Sequence, residues 1–219
     1  MRRHATHDPL ASSLTDLMTS LMVIFVLLLL VFMQRHAGVT AVITDALLKR
    51  LQDELRPQGF SAANVRRDAR DRYAILVIVP DRLMNFETGK FVLKPQGEAF
   101  LSSRIPHLAQ VLCSPEYRSS VDSIVVEGHS DAQPFSALPF EESQALNLKL
   151  SQDRSMEVVK KSLVFLGGFP ERGCFLEKLS ASGRGEQDQE STADESRRVI
   201  FKIRVKTPEA DSIERRVRQ

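Results

Sequence analysis

The chain has 219 residues, with 30 Lys and Arg against 28 Asp and Glu and a net charge of +2. A balance this even offers no dominant basic face, so the composition gives no case for nucleic acid as a partner. With no Trp and only 2 Tyr, stacking platforms for bases or sugars are scarce, and the length suits one compact domain plus connections.

Residues 1–13 read as a short N-terminal arm. Residues 14–33, LTDLMTSLMVIFVLLLLVFM, follow. A helix needs roughly 20 mostly apolar residues to cross a ~30 Å hydrocarbon core, and this stretch has that length if its one charge, Asp16, is counted in. Arg2 and Arg3 before it, and Val39-Thr40-Ala41 after it, could also pass for the ends of a cleaved signal peptide. The apolar run exceeds the ~7–15 residues of a signal-peptide core and an acid stands just before it, so a retained anchor is the better reading. No cysteine lies near its end, which excludes a lipoprotein. Arg2 and Arg3 precede the span while Arg35, Lys49 and Arg50 follow it. The positive-inside rule slightly favours a cytoplasmic N-terminus, with the remainder across the membrane.

Residues 34–71 read as a juxtamembrane helix and a linker. Val39, Ile43, Leu47, Leu51 and Leu55 recur every four residues, and Pro57 and Gly59 close the helix. Such a narrow stripe suits pairing with a copy of itself, or a plug over 37–56 lying on the membrane; both stand. Residues 61–72 are charged and irregular.

The domain at 72–206 alternates two kinds of pattern. Arg72–Pro80 and Val121–Ser130 are apolar, β-branched strands, and Phe175–Gly183 and Arg197–Lys206 read as two more. Lys94–Leu112 carries helical periodicity despite Pro106, and Glu141–Gly167 is a long amphipathic helix. The order β-α-β-α-β-β predicts an α+β fold, a mixed sheet with helices on one face. The fold class is therefore a single N-terminal transmembrane helix followed by an α+β domain. Residues 207–219 form a charged tail that reads as disordered.

Cys113 and Cys174 sit in no CxxC or Cys/His spacing, so neither a zinc site nor any other cofactor is indicated. Outside the cytoplasm they can pair as a disulfide; two isolated buried thiols are the alternative. His129-Ser130-Asp131 is not a catalytic triad, because neighbours on a strand point to opposite faces. No nucleophile–base pair is visible elsewhere, and the chain does not read as an enzyme.

Ser12, Asp16, Thr19 and Ser20 stand at i−4, i, i+3 and i+4 and share one helix face. A charge in a membrane helix usually faces a protein interior or a water-filled path, where hydroxyls can solvate a carboxylate or help coordinate a small cation. A carboxyl in such a setting is a plausible proton carrier. The alternative is a helix cap in the headgroup region, made by Asp16, Ser13 or Thr15.

The stretch VIVPDRLMNFETGKFVLKPQGEAFL resembles the start of an OmpA/MotB-type peptidoglycan-binding domain, through Phe86, Gly89, Leu93, Pro95 and Gly97. VVEGHSD is similar to that family's Gly-His-Thr-Asp, with Ser130 for Thr. NLKLSQDRSMEVV is similar to its Asn-x-x-Leu-Ser-x-x-Arg-Ala-x-x-Val, with Ser155 for Ala. SGRGE and SRRVIFKI fit its Gly-x-Gly-Glu turn and its last strand, Asn-Arg-Arg-Val, with Ser196 for Asn. The resemblance covers about Arg72 to Lys206. It implies non-covalent binding of the peptidoglycan stem peptide, with Asp131 taking the ammonium and Arg154 the carboxylate of a diaminopimelate head group. A guanidinium can grip a carboxylate with two parallel bonds. Asn147 and Leu150 would line the same pocket, and Arg184 and Arg198 are further candidates. The structural alternative has Asp131 capping its loop and Arg154 pairing with Glu157 or Asp153.

A single N-terminal span with an acid near its cytoplasmic end, followed by such a domain, resembles the MotB-like B subunits of ion-driven motors. The Pro-containing insertion that begins Asp131-Ala-Gln-Pro134-Phe is similar to theirs. The segment TDLMTSL looks like that of ZorB, the MotB-like subunit of Zorya anti-phage defence systems; a flagellar MotB is the second resemblance. These likenesses imply a homodimer inside a ring of multi-span A subunits (MotA- or ZorA-like, five A to two B). Asp16, with Thr19 and Ser20, would carry protons or sodium ions, and the rest of the chain would lie in the periplasm, tied to the cell wall. A passive tether between inner membrane and wall, without an ion path, is the competing reading.

Overall fold

The computed structural model describes residues 9–84, 86–87, 89–135 and 138–207, with the side chains of 9–15, 33–39 and 58 left out. The first eight residues of the N-terminal arm, and the charged tail from 208 onward, lie outside the described residues.

The domain is organised by a five-stranded mixed sheet. Its strands are β1 (Val65–Arg67), β2 (Ala74–Pro80), β3 (Val121–His129), β4 (Leu179–Gly185) and β5 (Arg198–Val205), in the order β1-β2-β5-β3-β4. Only the β3–β4 pair is parallel. Period-two patterning sends alternate side chains to opposite faces, so the register lines up apolar rows across the core face. Ile75 pairs with Ile203 and Ile203 with Ile124; Val77 pairs with Phe201 and Phe201 with Val126. All six are buried at 2% exposure or less. The opposite face carries Leu76, Lys202 and Val125 in one row and Pro80, Arg198 and His129 in another.

Helices α3 (Pro95–Leu112), α4 (Phe140–Phe165) and α5 (Arg172–Lys178) cover the core face, with α2 (Asp81–Met84) and α6 (Ala193–Ser196) as short connectors. The expected α+β arrangement, a mixed sheet with helices on one face, is present. Its β-α-β-α-β-β order is the core of a longer series that adds β1 and the short helices. The segment read as a strand from Phe175 is helical up to Lys178 and extended only from Leu179. Phe175 is fully buried and Leu179 packs on the same core one turn later, a helical spacing that short length disguised. Residues 65–67 belong to the sheet rather than to an irregular linker, pairing with β2 from Val65↔Val77 to Arg67↔Ile75.

One helix, α1, runs unbroken from Pro9 to Leu55. Its C-terminal part is a piece of the domain. Leu47, Leu51 and Leu55 are at most 2% exposed within the main core, with Ile43 packed against it. From Ile43 to Leu55 the stripe expected to meet a second copy, or to lie on a membrane as a plug, packs on the chain's own domain; the Val39 side chain lies outside the described residues. Polar groups pin the same segment. Arg67 Nε donates to Asp45 at 3.0 Å and its Nη2 to the Ala41 carbonyl at 3.2 Å. Gln52 donates to the Val65 carbonyl at 2.8 Å, and His107 meets Glu54 at 2.9 Å.

Among the described residues, the N-terminal part of α1 buries no comparable apolar stripe. Every apolar side chain from Leu17 to Phe32 is exposed. Among the described residues no helix is long and apolar enough to cross a membrane; the described side chains of this stretch begin at Asp16 and end at Phe32.

Cys113, at the end of α3, and Cys174, in α5, form a disulfide with Cα atoms 6.0 Å apart.

Candidate functional site

Helix α4 lies unusually close to the sheet because two glycines let it. A Cβ on Gly128 of β3 would stand 2.1 Å from the Ser151 carbonyl oxygen, and one on Gly183 of β4 would stand 2.7 Å from the Gln152 nitrogen. Two side chains of α4 then bond to β4. Ser151 Oγ accepts from Gly185 N at 2.8 Å, and Gln152 Oε1 accepts from Gly183 N at 2.5 Å. This clamp sets the height and rotation of α4, and so places Asn147, Leu150 and Arg154 at the end of β3, where Ser130 and Asp131 leave the sheet.

These residues line one cavity of about 390 Å³, with Asp81, Phe86, Gln133, Pro134, Phe135 and Arg197 among its other walls. The loop after Asp131 is tied to α4. Phe135 N donates to Ser143 Oγ at 2.8 Å, and Asn147 Nδ2 donates to the Gln133 carbonyl at 3.2 Å.

Arg154 is 5% exposed. Its Nε donates to the Lys90 carbonyl at 3.0 Å, and its guanidinium carbon lies 5.0 Å from the centre of the Phe86 ring. Among the described residues no carboxylate forms an ion pair with it: Asp153 pairs with Lys149 at 2.6 Å and Glu157 with Lys160 at 3.2 Å. Burial lowers its affinity for the proton, an effect that Asp81 and Asp131 oppose and Arg197 reinforces. A buried cation without a direct counter-ion is costly, and a carboxylate arriving in the cavity would relieve that cost through charge-assisted bonds.

The acids are held differently. Asp131 is gripped by Arg197 Nη1 at 2.5 Å, and the same guanidinium reaches Asp194 and lies 3.8 Å from Asp81. The bond to Asp131 leads the causes that strengthen Arg197's hold on its proton. Asp81 is pushed above the usual carboxylate range by burial, an effect the Arg154 and Arg197 charges reduce. The cavity thus presents two guanidiniums and two carboxylates, a surface suited to an amphoteric ligand.

Of the residues singled out from sequence, Asp131, Asn147, Leu150 and Arg154 come together here. Arg184 and Arg198 do not; they line a separate hollow on the open face of the sheet. Asp81 and Arg197 went unnoticed, and strand parity was the available signal for the second. Val199, Phe201 and Ile203 face the helices, so Arg197 shares their parity and Arg198 faces away. Asp16, Thr19 and Ser20 lie exposed on the N-terminal part of α1, where Thr19 Oγ1 donates to the Asp16 carbonyl at 2.9 Å.

No protein-family pattern matches the sequence, and no curated protein matches it. Solved structures do match in fold. A MotB-like protein from Desulfovibrio vulgaris superposes with a TM-score of 0.53 at 21% identity, over 77% of this chain and 96% of that one. The periplasmic domain of Helicobacter pylori MotB superposes with a TM-score of 0.50 at 17% identity, over 68% and 93% respectively. The chain shares the fold of MotB-like periplasmic domains.

Proposed function

We propose that the chain is a B-type, MotB-like subunit of an ion-driven inner-membrane motor, held to the cell wall by the cavity around Arg154. The observation that carries the wall-binding reading is the buried Arg154, without a paired carboxylate among the described residues, facing the same cavity as Asp131. A diaminopimelate head group of a stem peptide has the matching charges. Its carboxylate would go to Arg154 and its ammonium to Asp131, lined by Asn147 and Leu150. The fold shared with MotB-like domains favours this ligand class, and the Cys113–Cys174 disulfide favours an oxidising compartment such as the periplasm.

The motor reading adds the N-terminal helix. An exposed apolar surface from Leu17 to Phe32 calls for a non-aqueous neighbour. A bilayer and a ring of multi-span A subunits would together supply it, with the N-terminus in the cytoplasm and two copies of this chain in the ring. Asp16, beside Thr19 and Ser20, would be neutralised by an ion entering from the periplasm and recharged by release to the cytoplasm. One elementary charge crossing 100 mV supplies ~2.3 kcal/mol, so several steps are needed for useful work. The wall-bound domain would hold the dimer still while the ring turns. The likeness of TDLMTSL to ZorB favours a role in anti-phage defence over a flagellar one.

Pull-down of the full-length chain in detergent with peptidoglycan sacculi tests the anchor. Arg154→Ala should release the protein, and equal retention of both forms would remove the pocket from the account. Gentle purification from membranes should bring a multi-span partner along. Asp16→Asn should keep that assembly and abolish its function, whereas full activity would leave a passive tether.

A further inference from the structure

Two carboxylates line the Arg154 cavity, and they are not equally free. Asp131 is already spent on the protein. Its Oδ2 accepts from Arg197 Nη1 at 2.5 Å, and its Oδ1 accepts from Gln133 N at 3.4 Å. Asp81 is held more loosely. Arg197 Nε lies 3.8 Å from its Oδ2, beyond hydrogen-bond reach, and the carboxylate accepts from the backbone N–H of Phe86. An ionised carboxylate has about four acceptor sites, so Asp81 keeps capacity that Asp131 has given away. Its side chain is also the more accessible of the two, 24% exposed against 13%.

The backbone fixes Asp81 in place before any ligand arrives. Strand β2 ends at Pro80, which pairs with Arg198, and Asp81 N donates to the Arg197 carbonyl at 3.0 Å. At the other end of α2, a Cβ on Gly97 would stand 1.7 Å from the Met84 carbonyl oxygen, and Met84 is fully buried. Helix α2 is thus pressed between the rim of the sheet and the first turn of α3, and a group on so constrained an element is preorganised. Burial pushes the Asp81 carboxyl above the usual range, and the Arg154 and Arg197 charges offset this only in part. A cation arriving beside it would gain a charge-assisted bond without displacing Arg197.

We infer that Asp81 is the specificity-determining acceptor of the cavity: a ligand ammonium lodges between Asp81 and Asp131 and takes its stronger bond from Asp81, while Asp131 chiefly holds Arg197. The inference rests on the wall-binding reading and deepens it, by naming the group that selects the ligand class. Asp81 is none of the motif positions of its stretch, which are Phe86, Gly89, Leu93, Pro95 and Gly97. An amino-acid head group satisfies Arg154 and Asp81 together. A plain dicarboxylate satisfies Arg154 and leaves Asp81 without its cation, so the cavity separates ligands by the amine and not by the acid.

Ligand-observed NMR on the full chain in detergent tests this, with meso-diaminopimelate and pimelate as probes. The two share one dicarboxylate chain and differ in the amines. The wild type should prefer meso-diaminopimelate. Asp81→Asn should bind it about tenfold more weakly, while keeping the wild-type affinity for pimelate and the wild-type melting temperature. Asp131→Asn should weaken meso-diaminopimelate by less, and Arg154→Ala should lose both probes. If Asp81→Asn binds both probes as the wild type does while Arg154→Ala loses them, Asp81 has no part in recognition and the head-group cavity stands. Equal weakening of both probes by Asp81→Asn makes its role structural and overturns the inference, as does a larger loss of meso-diaminopimelate in Asp131→Asn. A wild type that binds the probes alike overturns it too, and one that binds neither overturns the wall-binding reading as well.

Discussion

Arg197 Nη1 donates to Asp131 Oδ2 at 2.5 Å, so the carboxylate expected to meet a ligand's ammonium already has a cation beside it. Arg197 also contacts Asp194 and lies 3.8 Å from Asp81. A ligand ammonium must share Asp131 with Arg197, which orients the carboxylate and weakens its pull. Arg197→Ala should therefore leave Asp131 less well oriented and Asp81 with Arg154 as its remaining neighbouring cation. Sacculus binding should fall about tenfold or more, since hydrogen bonds to charged groups are worth roughly 1.5–3 kcal/mol. Arg197→Lys should recover little, because one ammonium cannot hold three carboxylates in a planar fork. Unchanged binding by Arg197→Ala would show that Asp131 needs no such support.

The foot of α1 is core, and fragments should respect it. Leu47 and Leu51 are fully buried among residues of the sheet and of α3. Leu51→Ala should destabilise the domain by about 2–5 kcal/mol, read by chemical unfolding. A fragment from residue 40 onward should fold cooperatively, and one from residue 61 should not. Equal melting transitions for the two fragments would contradict this packing.

Gly128 is where the site's geometry is most exposed to a single methyl. With Ser151 O only 2.1 Å from the added Cβ, Gly128→Ala must push α4 off the sheet, taking Asn147, Leu150 and Arg154 with it. Overpacking of this kind costs about 1–3 kcal/mol. Binding should suffer more than the melting temperature does, because recognition depends on the placement of Arg154. Full sacculus binding by a folded Gly128→Ala variant would show that the height of α4 does not matter.

Much of this was legible in the residues. Three of the main strands and the two long helices follow from periods of two and 3.6, and the resemblance to the OmpA/MotB-type motif points to Asp131, Asn147, Leu150 and Arg154. What escaped has physical reasons. The stripe Ile43, Leu47, Leu51 shows that α1 has an apolar side, yet amphipathicity does not say whether a second copy, a membrane or the chain's own core will cover it. Strand β1 is three residues long, too short to show a period. Cys113 and Cys174, separated by 61 residues, carry no spacing signal, and only the docking of α5 beside the end of α3 brings them together. The motif string points to Arg198, whereas strand parity turns Arg197 toward the helices and Arg198 away from them.

The hollow on the open face of the sheet, lined by Asp68 and Asp188, should make stability fall in acid. Burial pushes Asp68 up, but the Lys202 hydrogen bond at 2.6 Å and the backbone N–H of Arg70 bring its carboxyl below the usual range. Asp188 is likewise raised by burial, then lowered further by Arg70 at 2.5 Å and Arg184 at 3.2 Å. A carboxyl depressed in the fold adds stability that is present above its unfolded value, about 4, and is lost as pH falls through the folded value. Asp68→Asn and Asp188→Asn should each flatten the loss of unfolding free energy below pH 4 while lowering stability at neutral pH. An acid slope as steep in the double variant as in the wild type would assign the effect to other groups.

The disulfide should matter for stability in a way that reports on compartment. It closes a loop across a 61-residue separation between the end of α3 and α5, and loop-closure entropy alone predicts roughly 4 kcal/mol for a crosslink of that span. It also holds α5, whose Phe175 is fully buried, against the domain core. Replacing both cysteines by Ser should lower the unfolding free energy by about 2–4 kcal/mol, and reductant should reproduce that loss in the wild type without affecting the variant. Protein made in a reducing compartment should then melt like the variant until it is oxidised. Indifference of the wild type to reductant, with free thiols counted in the folded protein, would show that the pair stays reduced and would remove this support for a periplasmic domain.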